Sequence, residues 1–262
     1  MQPTSVAVSP KPPPVRASEA LEVIRWSEPT VEMNLVLDEH LAQCAGRTGR
    51  HILRLWWGSN TTAVLGCGDK PEVALNLDEC KRRGVGWVKR VTGGGTVLQM
   101  PGVLNYSYTA PDPGFLDIRR TFEQGAEFIK SGLAQLGIEA QQRGISDVAV
   151  GGRKISGNAQ ARKWRAILLH GTILVDVDYD LVAAVLRHPA KEPDYRRHRC
   201  HGEFIVTLRD LGVIASAAEI EAAFARAAAV LYHRFLWQGR MCMEAAVLNP
   251  FEATGRLEVR IV

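Results

Sequence analysis

The chain has 262 residues, 32 Lys plus Arg against 28 Asp plus Glu, and 46% hydrophobic residues, a composition that excludes global disorder and a length that supports a core without disulfides. Its net charge of +4 is spread without a basic stripe, so nucleic acid is not an expected partner, and no apolar run approaches the about 20 residues of a membrane span. Cys44, Cys67, Cys80, Cys200 and Cys242 are odd in number and form no C-x-x-C pair, which points to neither a disulfide framework nor a zinc ribbon and fits a soluble protein of the reducing cytoplasm.

Residues 1–18 are proline-rich and carry no acidic residue, so they read as a disordered arm, and residues 19–262 as one domain. Met33, Val36, Leu37, His40, Leu41 and Cys44 recur at helical spacing between a Thr30 N-cap and Gly46, predicting an amphipathic first helix. Strand-like runs follow at 51–57 and 61–65. Asn76 with Glu79 predicts a capped helix that Gly84 stops. A strand at 87–91 enters Gly93-Gly94-Gly95, and Val97 and residues 104–108 leave it. Ile118, Phe122, Ile129, Leu133 and Leu136 mark a long helix ended by Gly137. Residues 147–150 and 153–156 flank Gly151-Gly152, a pair suited to a tight hairpin. A strand at 167–175, a short helix capped by Asp180, a long helix from Ser216 and Glu219 to Phe235, and a strand at 257–261 complete the chain. Helices interleave with hairpins, which predicts an α+β fold, a mixed sheet flanked by helices.

Two segments carry candidate chemistry. Three consecutive glycines between strands allow the backbone to pass close to a ligand, although a glycine-rich turn has the same signature. No G-x-x-x-x-G-K-[ST] loop and no complete G-x-G-x-x-G is present. In Gly152-Arg153-Lys154-Ile155-Ser156-Gly157-Asn158-Ala159, alternation places Lys154 on one strand face among small residues. There a compact positive charge can neutralise a phosphate or carboxylate; a surface lysine is the other reading. Arg196, Arg197, His198 and Arg199, with Lys191 nearby, form the densest basic stretch. It reads either as a solvated loop or as a dock for an acidic protein.

Four blocks in order, Trp57 to Gly66, Arg90 to Val97, Gly152 to Ala159, and His170-Gly171-Thr172, resemble the signature segments of the lipoate-protein ligase A family, over about residues 25–215. The resemblance implies the catalytic fold shared by biotin and lipoate protein ligases, related to class II synthetases. It implies ATP-driven conversion of lipoate (or octanoate) to acyl-AMP, then transfer to a lysine of an acidic lipoyl carrier domain, such as a 2-oxoacid dehydrogenase E2 or the glycine cleavage H protein. Carried over by position, Lys154 is the essential lysine. Arg90, Gly93, Gly94, Gly95, Thr96, Asn105, Gly157, Asn158, Ala159, His170 and Gly171 line the acyl-adenylate pocket. Asp147 lies near the nucleotide and a Mg2+ ion. His170 has a second reading as a core histidine.

The chain departs from the family pattern at Gln99-Met100, where His-Asp is usual, while Asn105 keeps the asparagine that follows. Residues after Phe235 leave no room for the C-terminal accessory domain of several ligases, so adenylation would need a separate accessory subunit. The alternative activity is an ATP-independent octanoyl or lipoyl transferase with Cys200, ahead of Val206-Thr207-Leu208, as nucleophile. A non-catalytic lipoyl-domain binder is a third reading.

Overall fold

The computed structural model describes residues 21–114, 117–189, 191–235 and 246–247. The expected arm at 1–18, the expected strand at 257–261 and Cys242 lie outside them. The main sheet uses β1 (Leu21–Arg25), β2 (His51–Trp57), β6 (Val103–Pro111), β7 (Gln141–Arg143), β8 (Asp147–Val150), β9 (Arg153–Lys163), β10 (Ala166–Leu174) and β11 (Ala246–Val247) in the order β11-β1-β2-β6-β10-β9-β8-β7. β1 is parallel to β2 and β11 and the other neighbours are antiparallel, so the sheet is mixed, as the interleaved pattern predicts. β3 (Thr62–Leu65), β4 (Gly86–Lys89) and β5 (Val97–Gln99) make a second, small sheet.

Both faces of the main sheet are covered, and β6 is therefore buried almost throughout. On one face α4 (Ile118–Ala134) and α7 (Ala217–Phe235) pack through a chain of rings: Tyr106 lies 5.0 Å from Phe128, which lies 5.8 Å from Phe224. On the opposite face α1 (Val31–Thr48) covers part of the sheet, and Val31 and Leu35 pack with Trp56 and Val64. The small sheet shares a further core with α2 (Pro71–Ala74), α3 (Leu77–Arg83) and α5 (Tyr179–Val185) through Leu65, Ala74, Cys80, Leu98 and Val182.

α1 starts as predicted, with Thr30 Oγ1 accepting from Met33 N at 3.2 Å, but it runs past Gly46 and ends at Gly49, whose φ of 79° is left-handed. Gly46 sits inside the helix because a Cβ there would lie 1.9 Å from the Trp164 carbonyl oxygen; it serves contact rather than termination. The buried stripe is also not the predicted one. Met33 and Val36 are exposed, while Asn34 and Asp38 are buried. Their polarity is explained by Arg54 on β2, which is itself fully buried and donates to Asp38 Oδ1 at 2.8 Å, to Asn34 Oδ1 and to the Asn34 main-chain carbonyl at 3.0 Å. Likewise Asp178, not Asp180, caps α5, its Oδ1 accepting from Leu181 N at 2.8 Å. Gly151 and Gly152 form the expected tight turn between β8 and β9 with φ of 56° and 75°.

Candidate active site

The glycine loop is held from within by Arg90. Its Nη2 donates to the Gly93 and Gly95 carbonyls at 2.6 and 2.8 Å, Nη1 to the Val64 carbonyl at 3.1 Å, and Nε to Thr92 Oγ1 at 2.9 Å. Burial lowers this guanidinium to about 10, so it stays charged at neutral pH. Four of its five N–H donors are thereby spent on Thr92 and on main-chain carbonyls, so Arg90, which the resemblance places in the lining of the acyl-adenylate pocket, shapes the loop from within. Gly94 has φ of 85°, and its carbonyl packs so near Gly66 that a Cβ on Gly66 would lie 1.9 Å away. Thr96 Oγ1 donates to Asp69 Oδ2 at 2.7 Å, fastening the loop's exit to the same turn.

The loop rests on the centre of the main sheet. An ideal Cβ on Gly94 would be 4.0 Å from Ala159 Cβ, and Thr92 Oγ1 is 2.7 Å from Nε2 of the buried His170. The His170 Nδ1 side faces Asp38 Oδ2 at 3.9 Å, and Asp38 Oδ1 also accepts from Ser107 Oγ at 2.6 Å. Burial works to raise the Asp38 carboxyl, but Arg54 and the surrounding donors outweigh it and hold it below its usual value. His170 thus belongs to a buried polar network joining α1 to the glycine loop.

Lys154 reaches this open face through an irregularity in the strand. The pairing of β8 with β9 runs Val148 to Ser156 and then Ala149 to Lys154, with a register shift between Val148 and Ala149. Two residues of β9 thus answer one step of β8, a β-bulge that leaves Ile155 as the extra residue. Uninterrupted alternation would put Lys154 on the α4 and α7 face with Ser156 and Asn158. The bulge turns it to the face of Asp147 and Gly157, where its Nζ lies 2.7 Å from Asp147 Oδ1. Gly157 makes the room: a Cβ there would be 2.6 Å from Lys154 Cε and Nζ. Gly157 and its cross-strand partner Thr172 are half-buried in mid-sheet. They floor an open trough between the glycine loop and Lys154.

The walls of the trough are fixed by amides. Asn105, opposite Thr172 on β6, exchanges two hydrogen bonds with Gln99, at 2.6 and 3.0 Å. The residue that departs from the family's His-Asp thus finds a neutral partner, and Met100 is buried with its Sδ accepting from Asp178 N at 3.4 Å. Asn158 projects toward the opposite face, donating to the Ser146 carbonyl at 2.7 Å and accepting from Tyr106 Oη at 2.8 Å. Gly171 is glycine because a Cβ would meet Asn158 Oδ1 at 2.1 Å. Asn158 and Gly171 therefore brace the sheet beneath the trough.

The segment 191–206 straps over the β8–β9 hairpin. Arg199 Nη2 donates to the Gly152 carbonyl at 2.9 Å, Val206 N to the Lys154 carbonyl at 2.9 Å, and Tyr195 Oη to Asp147 Oδ2 at 2.9 Å. The basic stretch is therefore only partly a surface. Arg196 is buried, 4.6 Å from the centre of the Phe204 ring, and Arg199 is engaged by backbone carbonyls, whereas Lys191 and Arg197 are exposed. Cys200 is an exposed free thiol directly before α6 (His201–Phe204), and its N–H donates to Glu203 Oε2 at 3.2 Å.

The residues present do not make a cage for Mg2+. Both oxygens of Asp147 are engaged, by Lys154 and Tyr195, and among the described residues no three metal-binding side chains converge. The structure brings together Lys154, Asp147, Gly157, Ala159, His170 and the Gly93–Gly95 loop. Sequence reasoning passed over Thr92, Gln99 as the partner of Asn105, and Tyr195; a lone hydroxyl or amide has no periodicity to reveal it.

The sequence model for the lipoyl protein ligase A/B catalytic domain matches residues 30–229. The chain is 31% identical over 155 residues to lipoate-protein ligase LplJ of Bacillus subtilis, an alignment covering 59% of this chain and 46% of that protein. It is also 31% identical over 198 residues to octanoyltransferase LipM of Kyrpidia tusciae, covering 66% and 72%. The chain thus spans about half the length of the Bacillus ligase. Among solved structures, the bipartite lipoate protein ligase of Thermoplasma acidophilum, described together with its E2 lipoyl domain, matches with a TM-score of 0.73 at 24% identity, covering 91% of this chain and 89% of that one. That likeness is one of fold. Among the described residues no helix is long and apolar enough to cross a membrane.

Proposed function

Since the chain belongs to the lipoyl protein ligase A/B catalytic domain family, we propose that it activates lipoate or octanoate with ATP and passes the acyl group to a lysine of an acidic lipoyl carrier domain, with an accessory subunit assisting adenylation. The observation that carries this reading is the bulge that turns Lys154 toward a trough floored by Gly157 and Thr172. A substrate carboxylate oxygen attacks the α-phosphorus of ATP, the bond to the β-phosphate oxygen breaks, and pyrophosphate leaves. The Lys154 ammonium offsets charge on the acyl and phosphate oxygens. In the second step the carrier amine attacks the acyl carbonyl, loses its proton, and AMP departs. Magnesium enters with the nucleotide as substrate. The Gly93–Gly95 loop, held by Arg90, lets the adenylate approach backbone, while Thr96 and Asn105 keep the walls in place and Asn158, His170 and Gly171 brace the sheet beneath.

A second reading is favoured by the likeness to LipM and by the exposed, free Cys200. There the thiol would attack an octanoyl thioester, releasing the carrier's thiol, without ATP. The test is carboxylate-dependent exchange of labelled pyrophosphate into ATP, alone and with candidate accessory proteins. Exchange supports the ligase; its absence, with an acyl group found on Cys200 after incubation with octanoyl carrier protein, supports the transferase.

A further inference from the structure

Asp147 divides its carboxylate between two partners: Oδ1 is 2.7 Å from Lys154 Nζ, and Oδ2 accepts the Tyr195 phenol at 2.9 Å. The Lys154 and Asp147 side chains are 25% and 11% exposed, so their attraction is stronger than that of a fully hydrated pair. A carboxylate with both oxygens free can hold an ammonium across the two. Here the phenol occupies one of them.

Tyr195 is held firmly for this task. It lies in the one-turn 3-10 helix Asp194–Arg196, its ring 5.1 Å from Phe204, and its carbonyl accepts from Arg199 Nη2 at 2.9 Å. The same Arg199 nitrogen reaches the Gly152 carbonyl, which ties the strap to the hairpin. Burial and the neighbouring Asp147 charge push the Tyr195 phenol above its ordinary value, which keeps it a donor.

We propose that Tyr195 is a positioning residue: by occupying Asp147 Oδ2 it limits the Asp147–Lys154 pair to a single contact, which the ammonium can exchange for an anionic oxygen of the substrate. This rests on the reading that Lys154 meets acyl and phosphate oxygens, and it goes beyond it by assigning the strap a part in the reaction. Without the phenol, Asp147 turns both oxygens to Lys154 and retains it.

The test compares wild type, Tyr195→Phe, Asp147→Asn and the double variant, all checked for unchanged melting. Trace labelling of Lys154 with acetic anhydride near about pH 8.5, below the ordinary lysine value, is read by mass spectrometry against the exposed Lys191. Tyr195→Phe lowers Lys154 labelling by about threefold, because the remaining pair tightens, and Asp147→Asn raises it. In the double variant labelling equals that of Asp147→Asn, since Tyr195 acts through Asp147. Pyrophosphate exchange by Tyr195→Phe loses about fivefold in kcat, with KM for ATP and the carboxylate within about twofold. Labelling that rises or stays constant in Tyr195→Phe, or an effect of that change that persists when Asp147→Asn is already present, overturns the proposal. If the labelling follows the stated order while wild type shows no exchange even with candidate accessory proteins, the positioning stands and the activation reading falls.

Discussion

Gly157→Ala separates chemistry from folding at a single atom. The added methyl would lie 2.6 Å from Cε and Nζ of Lys154, while ordinary contacts begin at 3.4 Å. The ammonium must therefore retreat by roughly 0.8 Å, since packed atoms do not interpenetrate. The obstructed atoms are the tip of a flexible side chain, and Gly157 has no left-handed φ. The fold therefore accommodates alanine, and a less flexible unfolded chain offsets part of any strain. A net stability change within about 1 kcal/mol follows, or a melting shift of no more than about 4 °C for a chain of this size. Catalysis is less tolerant, because misplacing a reacting or stabilising group by approximately 1 Å costs up to about 100-fold. The expected result is a 10- to 100-fold loss, order of magnitude, in carboxylate-dependent pyrophosphate exchange, with a near-wild-type melt. Exchange at the wild-type rate in a folded Gly157→Ala protein would refute the placement of Lys154 over the trough.

Trp164 and Arg165, at the β9–β10 turn, both have left-handed φ, 54° and 60°; Trp164→Asn with Arg165→Gly should stabilise the protein by about 1 kcal/mol in urea melts, and a loss of stability would show that the tryptophan's packing outweighs the strain. Burial lowers the His51 imidazole to about 4 from an ordinary value near about 6.5. The folded state thus keeps it neutral while the unfolded chain takes up a proton, so its contribution is complete above about pH 6.5 and is lost as pH falls toward about 4. His51→Gln should flatten that limb of the stability curve, and an unchanged slope would assign it to other groups. Arg196→Glu, placing a carboxylate against Phe204 and near Glu192, should cost more than about 3 kcal/mol. Lys191→Glu with Arg197→Glu should instead slow only transfer to an acidic carrier, with a defect that shrinks as salt rises; equal loss of exchange would contradict a docking role.

Much of the scaffold was legible in the sequence because its signals are local. Thr30, Asn76 and Ser216 cap their helices as their residue types require, and Gly151-Gly152 makes the turn that paired glycines favour. The misreadings come from long-range contact. Gly46 looks like a helix stop until the Trp164 carbonyl is seen against it, and Asn34 and Asp38 look like a solvent face until Arg54 is found beneath them. At the site, the glycine loop and Lys154 stand out by composition, but the face on which Lys154 lies depends on one extra residue at Ile155, and no residue type marks a bulge there. Arg196 reads as surface charge because the Phe204 ring, eight residues on, comes to cover it only through the fold of the intervening loop, which carries no periodic signal.

Exchange of labelled pyrophosphate into ATP by wild type and Lys154→Ala, with lipoate or octanoate and in the presence of candidate accessory proteins, tests the assignment of Lys154 and of acyl activation together. Wild type should exchange only when the carboxylate is present. Lys154→Ala should lose at least about 100-fold while melting cooperatively, because the lysine supplies charge at the reacting oxygens and little core packing. Undiminished exchange by a folded Lys154→Ala protein would contradict the role given to this lysine, and ATP-independent acylation of Cys200 in a wild type that shows no exchange would contradict the ligase reading itself.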